Sequence, residues 1–216
     1  MTAPEGDRER LAEFLFRLRG EPHMSPALLK AVESVPRRLF VPAGIDDPYE
    51  NRTAPIECGE TMPGALAAVR LANWLEPQPE QRVLEIGTGS GYVTALLARI
   101  VGHVTTFDRY RRLLKSASQR FRELGISNVT AIFEDGREGF ASGSPYHRII
   151  IHSAFPAPPK QFLDQLGPHS ALICAIGPGD GQQELVRLRK VGSRFEREDL
   201  GTVRYQAVAF GKADVL

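Results

Sequence analysis

At 216 residues the chain is long enough for one ordinary domain, and 42% hydrophobic with 25% charged residues exclude a disordered or low-complexity chain. Its 27 basic and 26 acidic residues nearly cancel, which argues against the global positive field that draws proteins to nucleic acid or anionic membranes. Cys58 and Cys174 stand far apart, with no CxxC partner and no clustered histidines, so neither a disulfide framework nor a metal site is expected.

The opening stretch, Met1 to Arg10, is polar and lacks an apolar signal core, and no run approaches the roughly 18 apolar residues of a membrane span. A reducing, cytoplasmic setting is the expectation. Arg8 to Arg19 places Leu11, Phe14, Leu15 and Leu18 at helical spacing, and Gly20 ends that helix. Ser25 then precedes Pro26, the residue favoured at a first helical position, and a second helix runs until Pro36 stops it. Pro42 to Glu60, rich in Pro, Asp, Asn and Gly, reads as an irregular, ordered connection. Leu66 to Leu75 is helical in pattern, and Pro77 and Pro79 break it. Residues 1–81 therefore read as an N-terminal helical cap with a substrate-side loop, and 82–216 as the core.

From Arg82 strand and helix patterns alternate. Arg82 to Ile86, His103 to Phe107, Val129 to Phe133, Arg148 to Ile151 and Ala171 to Ile176 are expected strands. Tyr92 to Val101, Arg111 to Leu124 and Pro159 to Leu166 are expected helices. Such alternation predicts an α/β fold with a parallel sheet covered on both faces. Arg109, Arg111, Arg112 and Lys115 fall at helical spacing and read as a solvated face. Glu184 to Lys190 and Thr202 to Phe210 are expected to close the chain as an antiparallel hairpin at the sheet edge.

Chemistry concentrates at Val83-Leu84-Glu85-Ile86-Gly87-Thr88-Gly89-Ser90-Gly91-Tyr92, a strand, a glycine-rich turn and a helix in immediate succession. Glycines there let the backbone turn tightly and approach a ligand at a helix N-terminus. Asp108 ends the next strand 21 positions beyond Gly87, a spacing that suits a carboxylate accepting from ribose hydroxyls. Nicotinamide dinucleotide binding uses similar parts, but the spacing here is G-x-G-x-G. Asp135-Gly136 after the third strand also offers a second carboxylate to an adenine amino group.

Together with upstream residues these motifs resemble the protein-L-isoaspartate O-methyltransferases, over about Leu28 to Gly211. The resemblance rests on Val35-Pro36-Arg37 with Phe40-Val41, Tyr49-Glu50-Asn51 before Pro55-Ile56, Gly59 with Thr61, Val83 through Tyr92, and Asp135-Gly136. It implies a Rossmann-like, seven-stranded class I methyltransferase sheet with an N-terminal helical cap and a C-terminal antiparallel hairpin. It also implies S-adenosylmethionine as cofactor, S-adenosylhomocysteine as product, and a peptide or protein isoaspartyl carboxylate as acceptor. Glu85, Gly87, Thr88, Gly89, Ser90 and Gly91 would shape the crevice. Asp108 and Arg109 would lie at the ribose, with Asp135 and Gly136 at the adenine. Thr61 with the backbone from Gly59 to Gly64 would cover the methyl group, and His152 and Ser153 would line the acceptor side.

The chain departs from the family pattern P-I-G-x-G-Q-T-I-S-x-P in carrying Pro63 for the Ser and Ala65 for the last Pro. The late segment similar to V-R-F-V-P-L appears as Val203-Arg204-Tyr205-Gln206-Ala207-Val208, and His152-Ser153 replaces Thr and Ala. Three alternatives stay open at this level: a different small or peptide acceptor, a phenol or amine acceptor with His152 as base, and a non-catalytic module that binds the cofactor or its product. The sequence leaves the oligomeric state open. His23, His103, His147 and His169 carry no site pattern.

Overall fold

Apolar residues recur at helical spacing before Arg82 and in short continuous runs in the central strands after it, and the chain folds accordingly. The computed structural model describes residues 5–213, so the polar opening stretch lies partly outside them. Helices α1 (Glu5–Arg19), α2 (Pro26–Ser34) and α3 (Ala65–Trp74) come first. Pro26 opens α2 as expected, but Ser25 makes no side-chain cap; its N–H donates to Asn73 Oδ1 at 3.1 Å and ties α2 to α3. The connection between α2 and α3 contains 3-10 turns at Arg37–Leu39 and Glu57–Gly59 and an antiparallel pair of β1 (Ala54–Pro55) and β2 (Thr61–Met62).

The core runs β3 (Arg82–Ile86), α4 (Tyr92–Ala98), β4 (His103–Asp108), α5 (Arg111–Glu123), β5 (Val129–Phe133), β6 (Tyr146–Phe155), α6 (Lys160–Leu163), β7 (Leu166–Ile176), β8 (Gln183–Val191) and β9 (Arg194–Val203). One seven-stranded sheet of order β5-β4-β3-β6-β7-β8-β9 results, parallel through β7 and antiparallel beyond it. Alternate residues point to opposite faces: Val83, Ile150, Ile173 and Leu185 join the cluster beneath the helices of the cap, α4 and α5. Leu84, Ile149, Ile151, Leu172 and Val186 join the cluster containing Phe162 of α6. The cap is bound to the sheet by two arginines: Arg148 Nε donates to Leu75 O, and Arg187 Nη1 donates to Trp74 O at 2.6 Å.

Two expectations need correction, and a third, the exposed basic face, gains detail. The helix expected over Pro159 to Leu166 is only four residues long, because Gly167-Pro168 cannot continue it and Leu166 already opens β7. The last strand is not Thr202 to Phe210 but Arg194–Val203, joined to β8 by a two-residue turn at Gly192-Ser193 with Gly192 at φ +60°. Its charged run Glu196-Arg197-Glu198-Asp199 sits on an exposed sheet edge, where no apolar alternation is required. The basic face is also more than a solvated surface. Arg112 pairs with Glu57 at 2.7 Å, the Arg111 guanidinium lies 4.2 Å from the Phe133 ring centroid, and Arg109 Nη2 donates to Phe210 O at 3.2 Å.

Helix α1 is held by a buried carboxylate. Asp7 accepts from Arg38 Nε and Nη2 at 2.8 Å each, and hydrogen bonding to that guanidinium holds its pKa below the usual carboxylate range. A lowered folded pKa means that this stabilisation is complete above about pH 4, the unfolded carboxylate value, and is lost as pH falls through the folded value. Asp7→Asn should therefore melt below the wild type at pH 7, and the gap should close at pH 3 in paired thermal melts. Among the described residues no helix is long and apolar enough to cross a membrane, and no cluster of three metal-ligating side chains occurs. Cys58 and Cys174 are free thiols, and burial pushes Cys174 up to about 12.

Candidate active site

The strand order reverses between β3 and β6, which opens a crevice at their carboxyl ends, and the glycine-rich turn lies there. Gly87 and Thr88 both donate their N–H to Phe107 O, at 2.8 and 3.0 Å, which ties the turn to β4. Gly87 has φ +93°, and a Cβ there would lie 3.1 Å from His152 Cβ. The three glycines serve different ends. A Cβ on Gly89 would meet only Ile56, at 3.6 Å, so this position keeps the crevice floor open. Gly91 lines neither cavity; with φ +85° it lets α4 start against α5, where a Cβ would overlap Ala117 and Phe121 at 2.9 Å. Gly91→Ala should cost roughly 2–4 kcal/mol from left-handed strain and overpacking. Gly89→Ala, with φ +53° but no overlap, should carry only the strain, about 1–2 kcal/mol, and denaturant unfolding of the two variants would check the difference.

The crevice, about 140 Å³, is bounded by Gly87, Gly89, Ile86 and Phe107, by Asp108 to Tyr110, and by Glu134 to Arg137. Asp108 is only 5% exposed; Oδ2 accepts from Gly89 N and Oδ1 from Tyr110 N, both at 2.8 Å. Burial raises its pKa, partly countered by those two N–H groups. Asp135 accepts from Arg137 N at 3.0 Å and from Gly211 N at 2.7 Å. Gly136 packs so closely on Ile86 and Phe107 that a Cβ would come within 3.1 Å of both. Arg109 Nε and Ser153 Oγ are buried here without hydrogen-bond partners, two polar atoms left for a ligand.

The sequence reading missed the crevice's fourth wall. After β9 the chain turns back along β6, with Ala154 N donating to Gln206 O at 2.9 Å and Val208 N to Ala154 O at 3.0 Å. Gln206 to Ala209 thereby line the crevice, and Ala213 N donates to Arg109 O at 2.9 Å to fasten the far end. Gly179, where a Cβ would lie 2.6 Å from Ala207 Cβ, is the one local sign that the chain packs there closely.

A second cavity of about 510 Å³ opens on the cap side and shares Glu60, Thr61, Gly87, Gly89, His152 and Gln206 with the crevice. Thr61 on β2 stands exposed at that junction. Thr88 and Ser90 line only this second cavity, and Thr88 Oγ1 shares a 2.7 Å hydrogen bond with Thr106 Oγ1. Glu85 is fully buried and faces this side as well: Oε2 accepts from Thr94 Oγ1 and from Thr106 Oγ1 at 2.8 Å, and Oε1 lies 3.1 Å from His152 Nε2. Glu60, also missed from sequence, reaches the same junction; burial holds its carboxyl above the usual range.

At the departures from the family pattern the contacts are made by backbone. Pro63 O accepts from Arg37 Nη2 at 2.5 Å, and Ala65, fully buried, donates its N–H to Glu50 O at 3.2 Å. Gly64 packs so tightly that a Cβ would lie 2.5 Å from the Asn51 backbone.

Comparison with known proteins matches residues 10–213 to the family model described as Protein-L-isoaspartate(D-aspartate) O-methyltransferase (PCMT). The chain is 40% identical to the protein-L-isoaspartate O-methyltransferase of Azorhizobium caulinodans over the whole of both chains. It is also 40% identical to that of Rhizobium meliloti over 88% of this chain and 94% of the other. A solved protein-L-isoaspartate O-methyltransferase shares the fold, with TM-score 0.81 and 23% identity over 93% of this chain, which spans 66% of that longer one. A candidate Plasmodium falciparum member in complex with S-adenosylhomocysteine superposes with TM-score 0.76 and 20% identity over 91% of this chain and 97% of the other. Turn, crevice and family model converge: the chain belongs to the protein-L-isoaspartate O-methyltransferase family.

Proposed function

We propose that the protein transfers the methyl group of S-adenosylmethionine to the carboxylate of an isoaspartyl residue in a peptide or protein. The observation that carries this reading is the junction: a crevice with the chemistry of an adenosine site meets a larger cavity across Thr61, Gly87, Gly89 and His152. The crevice residues fit the cofactor. Ile86, Phe107 and Leu113 offer an apolar slot for adenine, Asp135 an acceptor for its amino group, and Asp108 acceptors for ribose hydroxyls. Arg109 Nε and Ser153 Oγ, both buried without partners, supply further donors beside it. The backbone of Gly87 to Gly89 would carry the amino-acid end.

When bound, the cofactor supplies an electrophilic methyl: a carboxylate lone pair forms the O–CH3 bond, and the breaking S–CH3 bond leaves its pair on sulfur. A carboxylate is already ionised near neutral pH, with a pKa about 4, so the protein's own residues need only position it. Thr61 and the backbone through Gly64 would cover the junction, His152 would line the acceptor side, and residues 1–81 would act as the acceptor-side cap; Ser153, expected beside His152, lines the crevice and not the larger cavity. Holding the reacting atoms in line in a site closed to water can supply roughly 7–11 kcal/mol. A cytoplasmic setting suits two free thiols.

Product chemistry tests the acceptor class. A carboxyl methyl ester hydrolyses in mild alkali and releases methanol, whereas a methylated amine or phenol does not. Alkali-stable labelling would favour the second reading, in which His152, held by Glu85, removes a proton from the acceptor.

A further inference from the structure

Arg37 lies beneath the larger cavity and is 1% exposed. Nε donates to Pro48 O at 2.7 Å, Nη2 donates to Pro63 O, and the guanidinium stacks 4.6 Å from the Tyr92 ring centroid. Its neighbour Arg38 takes Asp7 as counter-charge, but Arg37 forms no ion pair among the described residues. Nη1 is buried without a hydrogen-bond partner, and so is the hydroxyl of Tyr92, which lines the same cavity.

An arginine stays charged when buried, and a buried cation without a counter-ion is costly. Two carbonyls and an aromatic face satisfy part of this group and leave Nη1 without a partner on a side chain that lines the cavity. Beside it stands a second unsatisfied donor, so the pair matches an anion with two oxygens. A structural clamp alone would need neither the charge nor the free edge.

We propose that Arg37 Nη1, with the Tyr92 hydroxyl beside it, receives the carboxylate of the methyl acceptor, a proposal that rests on the functional reading above. Arg37 is then the residue that selects an anionic acceptor, and it couples that choice to the segment from Thr61 to Gly64 through Pro63 O. Pro63 occupies the Ser position of the family pattern, and its carbonyl is held by the same guanidinium.

The test uses the full chain and two peptides, one isoaspartyl and one identical but with that carboxylate converted to a carboxamide, assayed as a competitive inhibitor. Arg37→Gln keeps donors for the loop carbonyls and removes the charge. It should raise the isoaspartyl KM by at least about 30-fold, as expected for truncating one side of a buried charge contact. The carboxamide Ki and the S-adenosylhomocysteine Kd should stay near wild type, whereas a merely structural role would weaken both peptides alike. If the Gln variant does not fold, Arg37→Lys decides. Lysine cannot hold both carbonyls and the acceptor from one fork, so the isoaspartyl KM should still rise about tenfold. Turnover by the wild type with an unchanged isoaspartyl KM in the variants overturns the role of Arg37 alone. Absence of isoaspartyl turnover in the wild type overturns the functional reading and this proposal with it.

Discussion

Asp108→Asn should bind S-adenosylhomocysteine about one to two orders of magnitude more weakly than the wild type. Two of the carboxylate's four acceptor positions are taken by Gly89 N and Tyr110 N, which leaves two for ligand hydroxyls in the crevice. Each hydrogen bond to a charged acceptor contributes about 1.5–3 kcal/mol, and Asn keeps one acceptor oxygen, so losing one amounts to roughly 1.5–3 kcal/mol, at 1.4 kcal/mol per tenfold. Burial already raises the Asp108 pKa, so the ionised form is disfavoured in the free protein. Wild-type affinity should therefore be full above that pKa and decline as pH falls through it, while the Asn variant stays flat. Calorimetric titrations from pH 8 to pH 5 read both effects; an Asn variant within a few-fold of wild type would remove Asp108 from the ribose.

Glu85→Ala should lower stability by about 3–5 kcal/mol, because it removes the shared partner of three polar groups at a buried position. Thr94 and Thr106 hydroxyls and His152 Nε2 all meet this one carboxylate, which is 0% exposed. At 2–4 °C per kcal/mol for a chain of this size, the melting temperature should fall by roughly 6–20 °C. Glu85→Gln keeps the volume and one acceptor oxygen, and should recover most of that loss. Equal melting temperatures for Ala and wild type would mean that the network is dispensable.

Five strands of the core were legible because their apolar runs are interrupted by glycine and proline turns and must be buried on both faces. The glycine-rich turn and Asp108 were legible too, since the Rossmann-like connection fixes their separation along the chain. Arg194–Val203 was hidden, because an exposed edge strand tolerates Glu196, Arg197 and Asp199 and shows no apolar period. The return of Gln206 to Ala209 along β6 is a tertiary contact without a local signature. Gly91 looked like a ligand glycine because sequence records its need for positive φ and not the direction its missing side chain would take. Contacts between distant residues, such as His152 with Glu85 or Arg37 with Pro63, lie beyond sequence spacing altogether.

Transfer of a labelled methyl group from S-adenosylmethionine to an isoaspartyl peptide, with the matching aspartyl peptide as control, addresses the proposed activity directly. Multiple-turnover, alkali-labile labelling of the isoaspartyl form alone is the expected result, and it would mean that Pro63 and Ala65 are compatible with the family reaction. No labelling of either peptide, with S-adenosylhomocysteine binding measured in the same sample, would contradict it and leave a cofactor site joined to a cavity for a different acceptor.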